Sequence, residues 1–380
     1  MTEFTFKLST KIYFGTHIVK AALEKEKKWL TDKVMIVTTG RSLIECGYLE
    51  QLQKVVENIA GQGNVLIFDE VSRNPRLDEV KRAALIGKKQ GVKTIIGFGG
   101  GSALDAAKAV AVGIASSEDL GTFLLEGKEP PRETLPIIAI PTTAGTGSEL
   151  SKAAIISSPK HGIKAGIRGK YIFPRAAIVD TAYTWTVPRQ ITMETGFDVL
   201  AHAVESYVAV KANIFSETLS EKAIMLVGEN LPLLNADLEN DDAREKMCYA
   251  SMIMGLNLAN VGTCLPHRMQ YAVGAATDTS HAAGLAALYT SWIMHEYEVN
   301  DRKVNHILRM LGLANADTTK QAGEVFSGFL NKVELSYRLS DLGINSGQLS
   351  WLEQQVTGNI SNDRLAETDG IIGTIFRESL

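Results

Sequence analysis

An aspartate and three histidines in the second half of the chain have the residue types and spacing of a metal site. Asp198 and His202 stand four residues apart in FDVLAHAVESY, and His267 and His281 follow later. Residues i and i+4 share one face of a helix, so the first pair can reach one ion. One carboxylate oxygen and three imidazoles suit a divalent transition metal. Taken singly, each histidine is more often a packed or surface residue, so spacing alone leaves both interpretations open.

A loop rich in glycine is a candidate for binding phosphate. In FGGGSALDAAK, residues 98–108, a predicted strand ends at Phe98 and Ser102 opens a predicted helix. Glycine lets the backbone approach a ligand closely, and a helix N-terminus attracts phosphate. Ser102 could cap that helix or bond a phosphate oxygen. The same glycines would serve a tight turn, and their spacing is not the dinucleotide GxGxxG fingerprint.

A second donor-rich loop, PTTAGTGSE at 141–149, also follows a predicted strand. In open α/β sheets, ligands bind at the carboxyl ends of the strands. Two such loops at one edge favour a nucleotide over a pair of plain turns.

The elements that position these groups fall into two patterns. In the first half, short apolar runs alternate with helix-period segments at 76–90 and 103–113. This alternation predicts a parallel sheet covered by helices on both faces. Two further runs, 153–158 and 176–180, extend the sheet or form a ribbon beside it. The predicted buried strands are 34–38, 65–68, 94–98 and 137–140.

After about Pro188, apolar residues recur every three to four positions, which predicts a nearly all-helical half. We therefore expect an α/β dinucleotide-binding domain over 1–185 and an all-helical metal and substrate domain over 186–380. A cleft between them would be the usual place for a small ligand. The predicted helices are 192–210, 216–233, 241–260, 281–297 and 302–312.

Composition limits the classes of partner. Hydrophobic residues make up 45% and charged residues 22% of the chain, which is typical of a globular protein. The net charge of −4 gives no reason to expect nucleic acid or an anionic membrane as a partner. The start of the chain lacks a secretory signal pattern, and no apolar run is long enough to span a bilayer. Three scattered cysteines fit a reduced compartment, so we expect a cytoplasmic protein.

Several motifs in a fixed order resemble one enzyme family over nearly the whole chain. They are IYFG (12–15), GGGSALDAAK (99–108), PTTAGTGSE (141–149), GFDVLAHAVESY (196–207) and the pair His267 and His281. With them the chain resembles the iron-dependent (group III) alcohol dehydrogenases. The resemblance implies an α/β nucleotide domain followed by a helical metal domain, and a homodimer.

The resemblance also implies the cofactors and the residues that hold them. Fe2+ is the usual ion, although affinity alone would favour Zn2+, and Mn2+ is a further alternative. The cation would act as a Lewis acid, and NAD(H) or NADP(H) would exchange a hydride with a small aldehyde or alcohol. By resemblance, the metal ligands are Asp198, His202, His267 and His281. The cofactor contacts by resemblance are Gly100, Gly101, Ser102, Asp105, Thr142, Thr143 and Lys164.

One departure from the family pattern affects proton transfer. Where the family commonly has His–Gly–x–x–His, this chain has HRMQY, which begins at His267 and ends at Tyr271. At i+4 from His267, Tyr271 should still face the site. A tyrosine titrates near pH 10, so it is a poor base at neutral pH but can donate a hydrogen bond. His267 and Tyr271 are the candidate catalytic residues, with water or a ribose hydroxyl as another proton route.

A second departure suggests an anionic substrate. Arg268 replaces a small residue, and a guanidinium suits carboxylate, phosphonate or sulfonate oxygens. Lys152 stands where the family often has an uncharged residue and could add a second positive group. Position i+1 on a helix points about 100° away from His267, so Arg268 is alternatively a solvated or interdomain arginine.

A third departure concerns the choice between NAD and NADP. Relatives that use NAD often carry an aspartate after the second strand, where this chain has VTTGRSL. Loss of that carboxylate removes a repulsion against a 2′-phosphate, so NADP(H) is allowed beside NAD(H). Thr39, Gly40 and Ser42 are candidate cofactor contacts. Arg41 either joins them or is an ordinary surface arginine.

These features predict a reductase for a short anionic aldehyde. The resemblance around LPHRMQY is closest to members that act on sulfoacetaldehyde or phosphonoacetaldehyde, with sulfoacetaldehyde reduced to isethionate favoured. Alternatives are a dehydrogenase for succinic semialdehyde or simple alkanols, and a lyase similar to dehydroquinate synthase, which would need a richer basic pocket. A metal- and nucleotide-binding sensor without catalysis is a third class.

Overall fold

The computed structural model describes residues 3–380, which form two compact units. One, the α/β unit, spans residues 7–187. The other, the helical unit, contains residues 188–380 together with residues 3–6. The predicted class, a parallel-sheet domain followed by a helical region, is confirmed.

The α/β unit contains a six-stranded parallel sheet in the order β1-β8-β5-β4-β2-β3 and a two-stranded antiparallel ribbon of β6 and β7. Strands β2, β4 and β5 are apolar and buried throughout, as parallel strands covered on both faces require. The strands are β1 Lys11–Gly15, β2 Val34–Val37, β3 Val65–Phe68, β4 Thr94–Gly99, β5 Ile137–Pro141, β6 Ala153–Ser158, β7 Ile163–Arg168 and β8 Ala176–Asp180.

The order of the strands defines where the sheet can bind a ligand. From β2 the chain moves to β3 on one side and then returns to β4 on the other, so the connections diverge between β2 and β4. The crevice beyond the carboxyl ends of two such strands is the usual ligand site. The helices of this unit are α1 Val19–Lys25, α2 Arg41–Glu45, α3 Tyr48–Ala60, α4 Leu77–Gln90, α5 Gly101–Ala115 and α6 Leu120–Leu125.

The two apolar runs expected either to extend the sheet or to form a ribbon differ in position. Residues 176–180 form β8 inside the sheet, between β1 and β5, whereas residues 153–158 form β6 in the ribbon. Strand β1, which contains the IYFG motif, lies at the sheet edge and was not predicted as a strand.

The helical unit consists of α-helices joined by loops and short 3-10 helices, with no strand among its described residues. The predicted segments 281–297 and 302–312 are two helical stretches, numbered together as α11, that meet at a kink where Asn300 leaves helical geometry at φ −146° and ψ 43°. The helices are α7 Arg189–Val208, α8 Ile214–Ala236, α9 Asp241–Asn260, α10 Leu265–Thr277, α11 His281–Met310, α12 Thr319–Lys332, α13 Leu349–Gln355 and α14 Ile371–Glu378.

Within residues 3–380, no single helix has both the length and the apolar character to cross a membrane. Helices α9 and α10, which meet at a 97° bend, reach that length and composition only when they are taken together.

Candidate metal centre and glycine-rich loops

Three helices bring the four predicted ligand side chains together. Helix α7 supplies Asp198 and His202, the first turn of α10 supplies His267, and His281 is the first residue of α11. Asp198 Oδ1 lies 3.7 Å from His202 Nε2, 3.6 Å from His267 Nε2 and 3.7 Å from His281 Nε2. Ligand atoms of Asp198, His267 and His281 all lie within 4.8 Å of one another. One carboxylate oxygen therefore faces three imidazole nitrogens.

The burial of this cluster fits a bound cation. Asp198 and His267 are 3% and 2% exposed, and neither Asp198 Oδ1 nor His267 Nε2 makes a hydrogen bond. Burying a carboxylate oxygen without a hydrogen bond costs desolvation free energy. A cation bound between Asp198 Oδ1 and His267 Nε2 would offset that cost.

The pKa shifts of Asp198 and His267 also indicate a site that favours positive charge. Burial acts to raise the pKa of Asp198, but His202, His267 and His281 outweigh it and hold that pKa far below its usual range. Burial acts to lower the pKa of His267, yet Glu205 and Asp198 raise it to about 10. The site thus favours positive charge at these nitrogens, and a metal ion would compete with the proton for them.

Two supporting residues were missed by the sequence analysis. Glu205 Oε1 lies 2.6 Å from His267 Nδ1, and Gln270 Oε1 contacts His281 Nδ1. Both side chains are completely buried. A signal did exist: Glu205 is seven residues after Asp198 on the same helix face, and Gln270 is three after His267.

Tyr271 faces the cluster, as its spacing predicted. Its ring centroid is 6.1 Å from that of His281, and the side chain is half-buried. The Tyr271 ring therefore lies beside one of the four predicted metal ligands.

Arg268 is partly exposed and makes contacts within the helical unit. Its Nη2 donates to Thr263 Oγ1 at 3.0 Å, and its guanidinium carbon is 5.5 Å from the Tyr271 ring centroid. Arg268 Nε is buried without a hydrogen bond. Gly358 packs beside it, since a Cβ there would lie in ordinary contact, 3.4 Å from Arg268 Cδ. Arg268 is thus partly exposed, with its Nε buried and its Nη2 bonded to Thr263.

In the α/β unit, the two donor-rich loops meet at the carboxyl edge of the sheet. Thr142 N donates to the Gly99 carbonyl at 3.0 Å. A Cβ at Gly100 would lie 3.3 Å from Thr143 Oγ1, and one at Gly101 would lie 2.6 Å from Thr146 Cγ2. The close approach of the loops therefore requires glycine at position 101.

The start of α5 differs in detail from the expectation. The helix begins at Gly101, its N-cap is Gly100, and no side chain caps it. The Ser102 hydroxyl donates to the Arg73 carbonyl instead. The interpretation of Ser102 as a cap is wrong, because Ser102 is already the second residue of the helix.

The segment after β2 reaches the same edge. Gly40 has φ +79°, and a Cβ there would lie 2.6 Å from the Asp69 carbonyl oxygen, so only glycine fits. Thr39 precedes it and Ser42 lies in the first turn of α2. The Arg41 side chain is 93% exposed, with Glu45 as a distant ion-pair partner.

The remaining predicted residues have the following positions. Asp105 Oδ1 accepts from Lys108 and Ser148, and Oδ2 accepts from Ile155 N at 2.9 Å. Asp105 therefore joins α5 to the second loop and to β6. Lys164 Nζ donates to Asn74 Oδ1 at 2.8 Å, and Lys152 is exposed.

Comparison with protein-family models gives two adjoining matches. Residues 9–181 match the model described as iron-containing alcohol dehydrogenase. Residues 192–378 match the C-terminal model of the Fe-containing alcohol dehydrogenase family.

Known proteins of this kind are similar along most or all of the chain. A probable alcohol dehydrogenase (EutG) of Escherichia coli is 33% identical over 79% of this chain and 76% of its own. An archaeal halo-thermophilic alcohol dehydrogenase from a Red Sea brine pool has a TM-score of 0.93 and 28% identity, covering 100% of both chains. Sulfoacetaldehyde reductase from Bifidobacterium kashiwanohense, solved with NAD+, has a TM-score of 0.86 and 27% identity, covering 100% of this chain and 99% of its own.

Proposed function

The chain belongs to the iron-containing alcohol dehydrogenase family, and on that premise we propose that it reduces a short anionic aldehyde to the alcohol. The substrate that we favour is sulfoacetaldehyde, which would give isethionate, and phosphonoacetaldehyde is next. The observation that supports a metal-dependent reaction most directly is the single oxygen of Asp198 facing three histidine nitrogens at 3.6–3.7 Å.

Each part of the reaction has residues to perform it. When bound, the cation polarises the substrate oxygen and the reduced nicotinamide supplies the hydride. Asp198, His202, His267 and His281 would hold the cation, and the first three of these side chains are buried. Tyr271 donates a hydrogen bond toward the developing alcohol oxygen. The cofactor contacts that we propose are Thr39, Gly40, Ser42, Gly100, Gly101, Ser102, Asp105, Thr142, Thr143 and Lys164.

Arg268 is the proposed contact for the anionic end of the substrate. It adjoins the ligand His267 in sequence and stacks on Tyr271, and its buried Nε has a hydrogen bond still to donate. A guanidinium binds sulfonate or phosphonate oxygens through two parallel hydrogen bonds. Lys152, which is exposed, is a second candidate for the same anion.

An aldehyde panel tests this proposal. Sulfoacetaldehyde, phosphonoacetaldehyde, succinic semialdehyde and propanal are assayed with NADH and NADPH, on protein loaded separately with Fe(II) and Zn(II). We expect the highest kcat/KM with a charged aldehyde. Equal rates on propanal and the charged aldehydes would instead indicate a dehydrogenase for simple alkanols.

An arginine variant identifies the residue behind the preference. Hydrogen bonds to charged groups contribute roughly 1.5–3 kcal/mol, so Arg268→Ala should lower kcat/KM for sulfoacetaldehyde by about 10- to 100-fold. The rate with propanal should not change. Arg41→Ala, which removes an exposed arginine, is the matched control with NADH as cofactor. An unchanged preference in Arg268→Ala would exclude this residue as the anion contact.

The proposal extends to the state of the protein in the cell. We propose a cytoplasmic homodimer. It would use either NADH or NADPH, because the segment after β2 has no carboxylate to repel a 2′-phosphate. Light scattering after size-exclusion chromatography measures the oligomeric state. Binding of NAD(P)H without turnover of any aldehyde would favour a sensor instead, and turnover of a phosphorylated sugar acid would favour a lyase.

A further inference from the structure

We infer that Glu205 is a positioning residue that fixes the tautomer of His267 and couples it to the start of helix α10. The inference rests on the proposed metal centre, because it concerns how one of its ligands is prepared. Glu205 lies on α7, three residues after His202, and is 0% exposed.

The contacts of Glu205 determine which nitrogen of His267 carries the hydrogen. Glu205 Oε1 is 2.6 Å from His267 Nδ1, and a carboxylate can only accept a hydrogen bond. Nδ1 must therefore be the donor. In the neutral imidazole that binds a metal, the lone pair then lies on Nε2, which is the atom 3.6 Å from Asp198 Oδ1 and has no hydrogen bond. A carboxylate behind a ligating histidine orients the ring and makes it more basic.

The second oxygen of Glu205 holds the helix that carries His267. Glu205 Oε2 accepts from Cys264 N at 2.7 Å, and Asp363 Oδ2 accepts from Leu265 N at 3.0 Å. Cys264 is the N-cap of α10 and has no side-chain cap of its own. Two buried carboxylates, Glu205 and Asp363, therefore replace the missing cap, and Glu205 also contacts His267, three residues after Cys264.

An amide in place of the carboxylate cannot make both contacts. Glutamine has one accepting oxygen and one donating nitrogen, whereas Cys264 N and His267 Nδ1 are both donors. If the amide oxygen accepts from Cys264, its NH2 group faces Nδ1 and favours the other tautomer. That tautomer directs an N–H at the metal centre, where a ligand needs a lone pair.

The variants Glu205→Gln and Asp363→Asn separate this role from plain structural support. Both remove a buried negative charge at the start of α10, but Asp363 contacts Leu265 N, Leu365 N and Trp292 Nε1 and no histidine. Zn(II) affinity is measured by competition with a chromogenic chelator, and the melting temperature of metal-free protein is measured beside it. Removing a residue that hydrogen-bonds a metal-ligating histidine typically weakens metal binding by about 10- to 100-fold. We expect a loss of this size for Glu205→Gln.

The expected pattern is a divergence between the two variants. Both should melt earlier than the wild type without metal, while Asp363→Asn keeps wild-type Zn(II) affinity. Wild-type affinity in Glu205→Gln would overturn the inference, as would an equal loss in both variants. If wild-type protein binds Zn(II) but reduces no aldehyde, the proposed function fails and the inference about Glu205 stands.

A measurement on the wild-type protein keeps the inference testable if Glu205→Gln does not fold. The chain has seven histidines, so long-range 1H–15N spectra of histidine-labelled protein are tractable with His267→Gln for assignment. In Zn(II)-loaded protein, His267 should show a hydrogen on Nδ1 and none on Nε2. A hydrogen on Nε2 would overturn the inference.

Discussion

The metal cluster of the helical unit and the loops of the α/β unit are built on opposite principles. At the cluster, chemistry depends on which side chains are present, with Asp198 and three histidines from three helices. At the loops it depends on which side chains are absent, since Gly40 and Gly101 leave no space for a Cβ. Conservative substitutions should therefore fail for different reasons in the two regions, chemical in the first and steric in the second.

The largest effect should come from removing the charge at the cluster. Asp198→Asn keeps the size of the side chain but loses the negative charge that three histidines face. Because a Lewis-acid metal supplies several kcal/mol to the transition state, we expect kcat/KM to fall by roughly 1,000-fold or more. Metal analysis of the purified variant should show loss of bound ion. Full activity with stoichiometric metal would contradict the assignment of Asp198.

Adding a methyl group at Gly101, where the loops leave no space for a Cβ, should cause a smaller loss of activity, through weaker cofactor binding. In Gly101→Ala the new methyl would lie 2.6 Å from Thr146 Cγ2, which forces the loops apart at a cost of about 1–3 kcal/mol. We expect weaker NADH binding, measured by fluorescence titration, with Zn(II) affinity unchanged. Gly328→Ala is the control, because a Cβ there meets nothing within 4 Å on helix α12. Equal NADH affinity in both variants would refute the claim that the close approach of the loops requires glycine at position 101.

Removal of a single hydroxyl should have a still smaller effect. Tyr271→Phe keeps the ring next to His281 and deletes one hydrogen-bond donor. A neutral hydrogen bond contributes about 0.5–1.5 kcal/mol, so kcat should fall by up to about tenfold, with little change in KM. Steady-state kinetics at neutral pH measure both. A loss greater than about a thousandfold would mean that Tyr271 transfers the proton as a general acid.

The last prediction concerns stability rather than activity. Burial and the nearby Asp363 raise the pKa of Glu296 to about 8. Between about pH 4.5 and 8 the folded state holds a proton that the unfolded state has released, so stability should fall as pH rises through that window. Glu296→Gln should reduce this slope, which is at most about 1.4 kcal/mol per pH unit. Urea unfolding at pH 5.5 and pH 8 measures the slope, and identical slopes in both proteins would contradict the buried neutral carboxyl.

The same contrast explains what the sequence could and could not predict. Strand β3 and helix α9 have the bounds that were predicted, because an uninterrupted apolar run and a long periodic segment are strong signals. Strand β1 was missed because it lies at the sheet edge and is only partly buried, which weakens its apolar pattern. The two predicted segments 281–297 and 302–312 agree with the structure, because the kink at Asn300 lies between them.

At the candidate site, the sequence predicted residues with recognisable ligand chemistry but not residues whose role depends on their surroundings in the fold. The four cluster residues were predicted because carboxylate and imidazole are recognisable ligands. Glu205 was missed because its spacing from Asp198 indicates a shared helix face but not burial or contact with a histidine on another helix. The glycine at position 101 was noted, but its reason, the approach of Thr146 from the second loop, depends on tertiary structure.

Anomalous diffraction from crystals of the Zn(II)- or Fe(II)-loaded protein tests the central claim most directly. The account predicts one ion about 2.0–2.2 Å from Asp198 Oδ1 and from the Nε2 atoms of His202, His267 and His281. An ion bound elsewhere, or one held by the Nδ1 atom of His267, would contradict it.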